Sequence, residues 1–212
     1  MSEPRTTPLI FCRHGQSEGN RERRFGGHGP TPLTELGRAQ ARATGHALAG
    51  AGVDLIYCSD LSRALDTATL IGAELGLTPE ATPALRERSV GEMTGLSFEE
   101  ARLRYPEAYA AMMRREADAC PPGGETYGQC RSRAVEFVEA AIARQRGARM
   151  LIVSHQLTLY QLLTHVFGVD GTQQRGKLIL QIDNCALHRI DHVEPALWHV
   201  WSLNERTHLA RL

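Results

Sequence analysis

Apolar residues along this chain fall into short unbroken runs separated by longer stretches with helical spacing. Leu9-Ile10-Phe11-Cys12 is the first run and reads as a buried strand. The polar, glycine-bearing segment RHGQSEGN follows at once, so it sits on that strand's carboxyl end. After the loop FGGHGPTP, the segment TELGRAQARATGHALAG has apolar residues at helical spacing behind Thr34 as N-cap. Val53 to Cys58 predicts a second strand. SDLSRALDTATLIGAELG predicts a helix capped by Ser59 or Asp60, with Arg63 in or near its first turn. Residues 85 to 125 break the alternation: the loop LRERSVGEMTG leads into short helical pieces and ends at PPGGE, which predicts a lid or insertion at about 88–122. A long amphipathic helix spans Thr126 to Arg146. The strand Met150 to Val153 follows, then Ser154-His155 and another helix. KLILQID, CALHRID and ALWHVWSL alternate enough to predict strands closing the sheet's edge. Strand and helix alternate overall, which predicts a three-layer α/β/α sandwich with a mostly parallel central sheet.

The whole-chain properties narrow the function classes. At 212 residues with 42% hydrophobic content, a single domain spanning 1–212 is the expectation. Lys+Arg and Asp+Glu both number 24, so no long-range field marks a nucleic-acid or acidic-membrane binder. Any positive site must be local. Nearly every basic residue is Arg, Lys177 being the exception, so only arginines at special positions carry weight. Cys12, Cys58, Cys120, Cys130 and Cys185 form no C-x-x-C pair and read as reduced, structural thiols. The opening MSEPRTTP is short and polar and no later run could span a bilayer, so a soluble, cytoplasmic protein is expected. Monomer and homodimer both remain open.

Three strands lead respectively into Arg13-His14, the turn before Arg63, and His155. In open α/β sheets the ligand crevice lies beyond the strands' carboxyl ends, so these distant positions are expected to converge. Two guanidiniums and two imidazoles about one point suit a dianionic phosphoryl group, because Arg offers planar, bidentate donors that stay charged. Helix N-termini behind Arg63 and His155 would add oriented N–H groups.

In order along the chain, RHGQSEGN, PLTELGRAQA, SDLSRALDTA, LRERSVGEMTG, PPGGET and VSHQ resemble the histidine phosphatase superfamily, also called phosphoglycerate mutase-like, from about Leu9 to Leu163. The R-H-G tripeptide alone is weak; six ordered segments are not. The resemblance implies that His14 is a nucleophile forming a phosphohistidine. It implies that Arg13 and Arg63 hold the equatorial oxygens and that Asn20 and His155 complete the phosphate pocket. Glu87 matches the family's general acid, with the roles of its neighbours Arg86 and Arg88 open. Ser17 and Gly27 are secondary candidates for phosphate contact, a turn role being the equal alternative. Two positions depart from the common pattern: Pro30 where relatives often carry Asp, and Gln156 where they often carry Gly.

No cofactor is expected. His188 and His192 share a strand face in this reading, but no cluster with ligand spacing accompanies them, and no metal is expected. No G-x-G-x-x-G follows the first strand, and no Walker sequence is present. Cofactor-dependent phosphoglycerate mutases carry a longer insertion with an E-R-H-Y-G-like motif after the Glu loop. Here GEMTGLSFEEARLRYPEAYAAMM is short and lacks it, which favours a phosphomonoester hydrolase acting on a small phosphorylated metabolite. A mutase-type phosphoryl transferase is the alternative, and a phospho-ligand binding module with little turnover is a third reading. Tyr109, Met112 and Met113 are candidates for the mouth of the site. Arg114 or Arg115 could meet a substrate anion but read more simply as solvated charge.

Overall fold

The computed structural model describes residues 5–114, 116, 118–169 and 179–212. Its strands are β1 (Thr6–Arg13), β2 (Leu55–Ser59), β3 (Glu80–Thr82), β4 (Met150–Ser154), β5 (Leu187–Val193) and β6 (Leu197–Glu205). They form one sheet in the order β3-β2-β4-β1-β5-β6. The β3–β2, β2–β4 and β4–β1 pairings are parallel, and β5 and β6 extend the sheet antiparallel. The helices are α1 (Glu18–Arg21), α2 (Glu35–Leu48), α3 (Ser62–Leu75), α4 (Phe98–Arg104), α5 (Pro106–Met113), α6 (Tyr127–Arg144) and α7 (Gln156–Val166).

Successive strand side chains point to opposite faces, and both faces of the parallel part are covered. Ile10, Cys12, Ile56, Cys58, Leu151 and Val153 pack against Leu48 of α2 and Ala64, Ala68 and Ile71 of α3. Leu9, Phe11, Tyr57, Met150 and Ile152 pack against Ala134 and Val138 of α6 and Leu159 and Leu163 of α7. The result is the three-layer α/β/α arrangement read from the sequence. Edge strand β6 shows the alternation instead: Trp198 and Val200 pack on the core while Leu197, Trp201 and Leu203 are exposed. Among the described residues no helix is long and apolar enough to cross a membrane. All five cysteines are free, and only Cys120 is exposed.

Helix starts follow side-chain caps where the sequence supplies them. Thr34 accepts Gly37 N–H, and Thr126 forms a capping box with Gln129. The start of α3 differs from expectation: its N-cap is Leu61, with no side-chain cap bond. Ser59 Oγ accepts Leu61 N–H at 3.2 Å, and the Asp60 carboxylate is taken by Arg86 at 2.7 and 2.6 Å. KLILQID also departs from expectation. Positions 177 and 178 lie outside the described residues, and 179–183 form no strand. Polar groups here bond to side chains rather than a ladder: Ile182 O accepts Arg13 Nη1, and Asp183 N–H donates to Asn204 Oδ1. The chain around α4 and α5 forms its own cluster of Val90, Met93, Ala101, Met112, Ala119 and Tyr127.

The segment after β1 is pressed against the start of α2. Thr34 N–H donates to Gln16 O at 2.9 Å, and Gln16 N–H donates to Gln40 Oε1 at 2.9 Å. A Cβ on Gly37 would collide with the Gln16 carbonyl, and one on Gly15 with the Gly37 carbonyl, so only glycine allows this approach. Gly37→Ala is therefore expected to lower the unfolding free energy by about 1–3 kcal/mol through overpacking. Urea unfolding measures it, and an unchanged midpoint would contradict the close backbone contact.

Candidate active site

The carboxyl ends of β1, β2 and β4 bring the singled-out residues to one place. Arg13 lies in register with Ser154, and His14 N–H donates to Ser154 O at 2.9 Å, so the β1–β4 ladder itself sets His14's main chain. The His14 ring is 3% exposed, with Nδ1 2.7 Å from Gly15 O. A carbonyl oxygen only accepts, so Nδ1 carries the proton and Nε2 keeps its lone pair. Burial, with Arg63 and Arg13 nearby, holds His14 well below the ordinary imidazole range. It is a neutral nitrogen base beside two cations.

His155 packs behind it, with ring centroids 5.0 Å apart. Its Nε2 lies 2.8 Å from Ser59 Oγ, and its Nδ1 is buried without a hydrogen-bond partner among the described residues. Ser59 Oγ also accepts Leu61 N–H, which ties the His155 ring to the start of α3. Arg63, in the first turn of α3, is 3% exposed and donates to Gly27 O at 2.8 Å and Gly29 O at 3.3 Å. Burial pulls it down to about 10, which leaves it a cation at neutral pH. Arg13 Nη1 donates to Ile182 O at 2.8 Å while its Nε is buried without a partner among the described residues.

Arg13, His14, Arg63, Glu87, Asn20, Ser17 and Gly27 border one cavity of about 220 Å³. A larger groove of about 910 Å³ lies elsewhere, between the α6–α7 side and the β5–β6 hairpin around Phe167, Leu197 and Trp198. Its arginine, Arg146, is paired with Glu194, so the smaller cavity is the one with convergent cations. The secondary candidates also serve structure. Ser17 caps α1, accepting Asn20 N–H at 3.3 Å while Asn20 Oδ1 accepts Ser17 N–H at 3.2 Å. Gly27, at φ 44°, directs its carbonyl to Arg63.

Glu87 sits at the N-terminus of α7. Its Oε1 accepts Arg88 N–H at 2.9 Å and Thr158 N–H at 3.2 Å, and its Oε2 accepts Leu157 N–H at 3.3 Å. The arginines beside it differ from it and from each other. Arg86 turns to Asp60, whereas Arg88 is fully buried, donating to Ala119 O and Glu125 O with its guanidinium 4.1 Å from the Tyr127 ring centre. Met112 and Gln156 border the cavity. Pro30 borders a neighbouring hollow, Tyr109 packs on Phe25, and Met113 is 55% exposed. Arg114 pairs with Glu116, and Arg115 lies outside the described residues. His188 and His192 are on one strand, but His188 Nδ1 accepts Asn204 N–H. Among the described residues no group of three or more His, Cys, Asp or Glu is placed to hold a metal ion.

Several contributors gave no signal in the sequence. Arg133 of α6 donates to the carbonyls of Ala84, Arg86 and Glu87 and pairs with Glu125, fixing the loop that presents Glu87. Thr67 Oγ1 accepts Gly15 N–H at 3.0 Å. Asn184 Nδ2 donates to His14 O at 2.8 Å. An amphipathic arginine, a helical threonine and a turn asparagine look ordinary until the fold brings them to the loop.

The buried imidazoles make stability pH-dependent. His155 is held well below the ordinary range by burial and by Arg63 and His14, and burial takes His188 down to about 4. Unfolded, these rings take up protons below about pH 6.5, whereas folded they stay neutral. The unfolded state then binds more protons, so stability falls as pH drops, by up to ~1.4 kcal/mol per pH unit for each such ring. Urea unfolding at pH 7.5 and at pH 5.0, above the main carboxylate range, is expected to show a clear loss at pH 5.0. Equal free energies would contradict neutral burial.

The sequence and fold also have recognised relatives. Residues 9–206 match the family described as histidine phosphatase superfamily (branch 1). A 2,3-bisphosphoglycerate-dependent phosphoglycerate mutase of Methylobacterium sp. (strain 4-46) is 38% identical over 170 residues, 77% of this chain and 80% of its own. A metal-independent phosphoserine phosphatase of Arabidopsis thaliana is 30% identical over 212 residues, covering 98% of this chain and 85% of its own. Among solved structures, Bacillus stearothermophilus YhfR superposes with a TM-score of 0.88 at 28% identity, covering 96% of this chain and 99% of its own. A mycobacterial glucosyl-3-phosphoglycerate phosphatase complexed with VO3 superposes with a TM-score of 0.82 at 27% identity, over 95% and 99% of the two chains. With the match running from the first strand to the end of the last, the chain belongs to the histidine phosphatase superfamily, branch 1.

Proposed function

We propose that this protein is a metal-independent phosphomonoester hydrolase that carries the phosphoryl group on His14 and acts on a small phosphorylated metabolite. The observation that carries the reading is the His14 ring: Nδ1–H is anchored on Gly15 O, and the unprotonated Nε2 belongs to a ring bordering a cavity with Arg13 and Arg63. In the first half-reaction Nε2 attacks phosphorus and the bond to the leaving oxygen breaks. Glu87, entering as the carboxylic acid, gives that oxygen its proton. In the second half-reaction water attacks phosphorus and passes a proton to the Glu87 carboxylate. The P–N bond breaks, and inorganic phosphate leaves a neutral His14. A carboxylate accepting three main-chain N–H groups is the form of Glu87 that this second half requires. Arg13 and Arg63 carry the charge of the transferring group, with Asn20 at the cavity's border and His155, buried behind His14, completing the phosphate pocket. Ser17 and Gly27 then act by shaping the pocket's edge.

Hydrolysis is favoured over transfer between sugar acids by the walls of the cavity. Beyond the cations, Phe25, Val90, Phe98, Met112 and Leu157 border it. Arg24, also at the border, is engaged by Glu22, Glu100 and Gly95 O. The mutase reading rests on the names of relatives such as the Methylobacterium protein. In this reading the segment at about 88–122 is a lid on a single domain spanning 1–212, working in the cytoplasm.

The test compares p-nitrophenyl phosphate with glycerol phosphate in EDTA, for wild type, His14→Ala and Glu87→Gln. Wild type should hydrolyse both, and His14→Ala neither. Glu87→Gln should lose ~10²–10⁴-fold in kcat/KM on glycerol phosphate, whose alkoxide needs a proton, and far less on the nitrophenyl ester. Activity of His14→Ala within a few-fold of wild type would overturn the proposal. Equal losses on both esters would remove Glu87 from the acid role.

A further inference from the structure

We infer that Asn184 is a positioning residue for the phosphate site, holding the main chain of His14 and turning the amide of Asn20 so that its NH₂ group is free for the phosphoryl oxygens. The inference rests on the phosphohistidine reading above and adds a residue that does not itself border the cavity.

Three residues of the segment just before β5, Ile182, Asn184 and Cys185, are bonded to Arg13 and His14 at the end of β1. Ile182 O accepts Arg13 Nη1 at 2.8 Å, and Cys185 N–H donates to Arg13 O at 2.9 Å. Asn184 Nδ2 donates to His14 O at 2.8 Å and to Asn20 Oδ1 at 3.2 Å. Cys185 follows with φ 54°, a left-handed conformation uncommon for a residue with a side chain, so this turn is held against its local preference.

The orientation of both amides follows from main-chain groups whose roles are fixed. His14 O can only accept, so the Asn184 atom beside it is the NH₂ nitrogen. Ser17 N–H can only donate, so the Asn20 atom 3.2 Å from it is the carbonyl oxygen. The two protons of Asn184 Nδ2 therefore match two acceptors, His14 O and Asn20 Oδ1. Asn20 Oδ1, with one donor from Ser17 and one from Asn184, is fully used. Its Nδ2 remains as the donor end of a residue bordering the cavity with His14 and Arg63. Without Asn184, Asn20 keeps the Ser17 bond but loses the second anchor, and the His14 carbonyl loses its side-chain donor.

The test measures vanadate affinity and single-turnover phosphohistidine formation for wild type, Asn184→Ala, Asn20→Ala and the double variant, with thermal unfolding alongside. Wild type must turn over and bind vanadate, which checks the underlying reading separately. Asn184→Ala should weaken vanadate binding and slow phosphoryl transfer by about 3- to 10-fold, the worth of one or two hydrogen bonds, with little change in Tm. In the Asn20→Ala background the same substitution should cost clearly less, because part of its effect passes through Asn20. If Asn184→Ala does not fold, Asn184→Asp replaces it: similar in shape but unable, when ionised, to donate, it should show at least the same loss. Unchanged vanadate affinity, or an equal fold-loss in both backgrounds, would overturn the inference.

Discussion

The site depends on how its guanidiniums are held. Arg13 and Arg63 are fixed by main-chain carbonyl oxygens, those of Ile182, Gly27 and Gly29, and among the described residues neither is paired with a carboxylate. A carbonyl orients a guanidinium without cancelling its charge, so positive potential survives where a dianion would sit. Several other arginines are instead matched by carboxylates: Arg86 by Asp60, Arg24 by Glu22 and Glu100, and Arg189 by Glu205. Burial, and then the same two cations, keep the His14 ring neutral, which an attacking nitrogen requires. One electrostatic arrangement thus serves both binding and nucleophilicity.

Topology supplies the carbonyls. Parallel β1, β2 and β4 end together, and each hands the chain to a turn or helix start at the same edge of the sheet. The loop at 26–29 reaches Arg63, the stretch before β5 reaches Arg13, and Arg133 of α6 gathers the carbonyls of residues 84, 86 and 87. Glu87 then falls on the N-terminus of α7, where main-chain N–H groups await an acceptor. A helix start that the sequence marks only by His155 becomes the seat of the Glu87 carboxylate, 70 residues before Leu157 whose N–H it accepts.

Much of this was legible because buried parallel strands are unbroken apolar runs. Leu9–Cys12 and Met150–Val153 each announce a strand end, and the residues just after them proved to be neighbours. Thr34 and Thr126 marked helix starts for the same reason: their side chains offer an acceptor to a free N–H. The sequence was silent where function depends on main-chain partners from far away. Nothing local distinguishes Asn184, whose acceptors are 164 and 170 residues distant, or Arg133 among many arginines. The cap expected of Ser59 or Asp60 failed because tertiary partners, His155 and Arg86, claim those side chains. KLILQID alternates like a strand, yet from 179 to 183 the chain is used to hold Arg13 and meet Asn204.

The central claim is covalent: the phosphoryl group passes through His14. Rapid quench of the protein mixed with a ³²P-labelled monoester, followed by peptide mapping, tests it directly. The account predicts a label on the peptide containing His14 that survives alkali, is lost in acid, and forms and decays at least as fast as turnover. No label during turnover under conditions where hydrolysis of the intermediate is slow, or an acid-stable label on another residue, would contradict it.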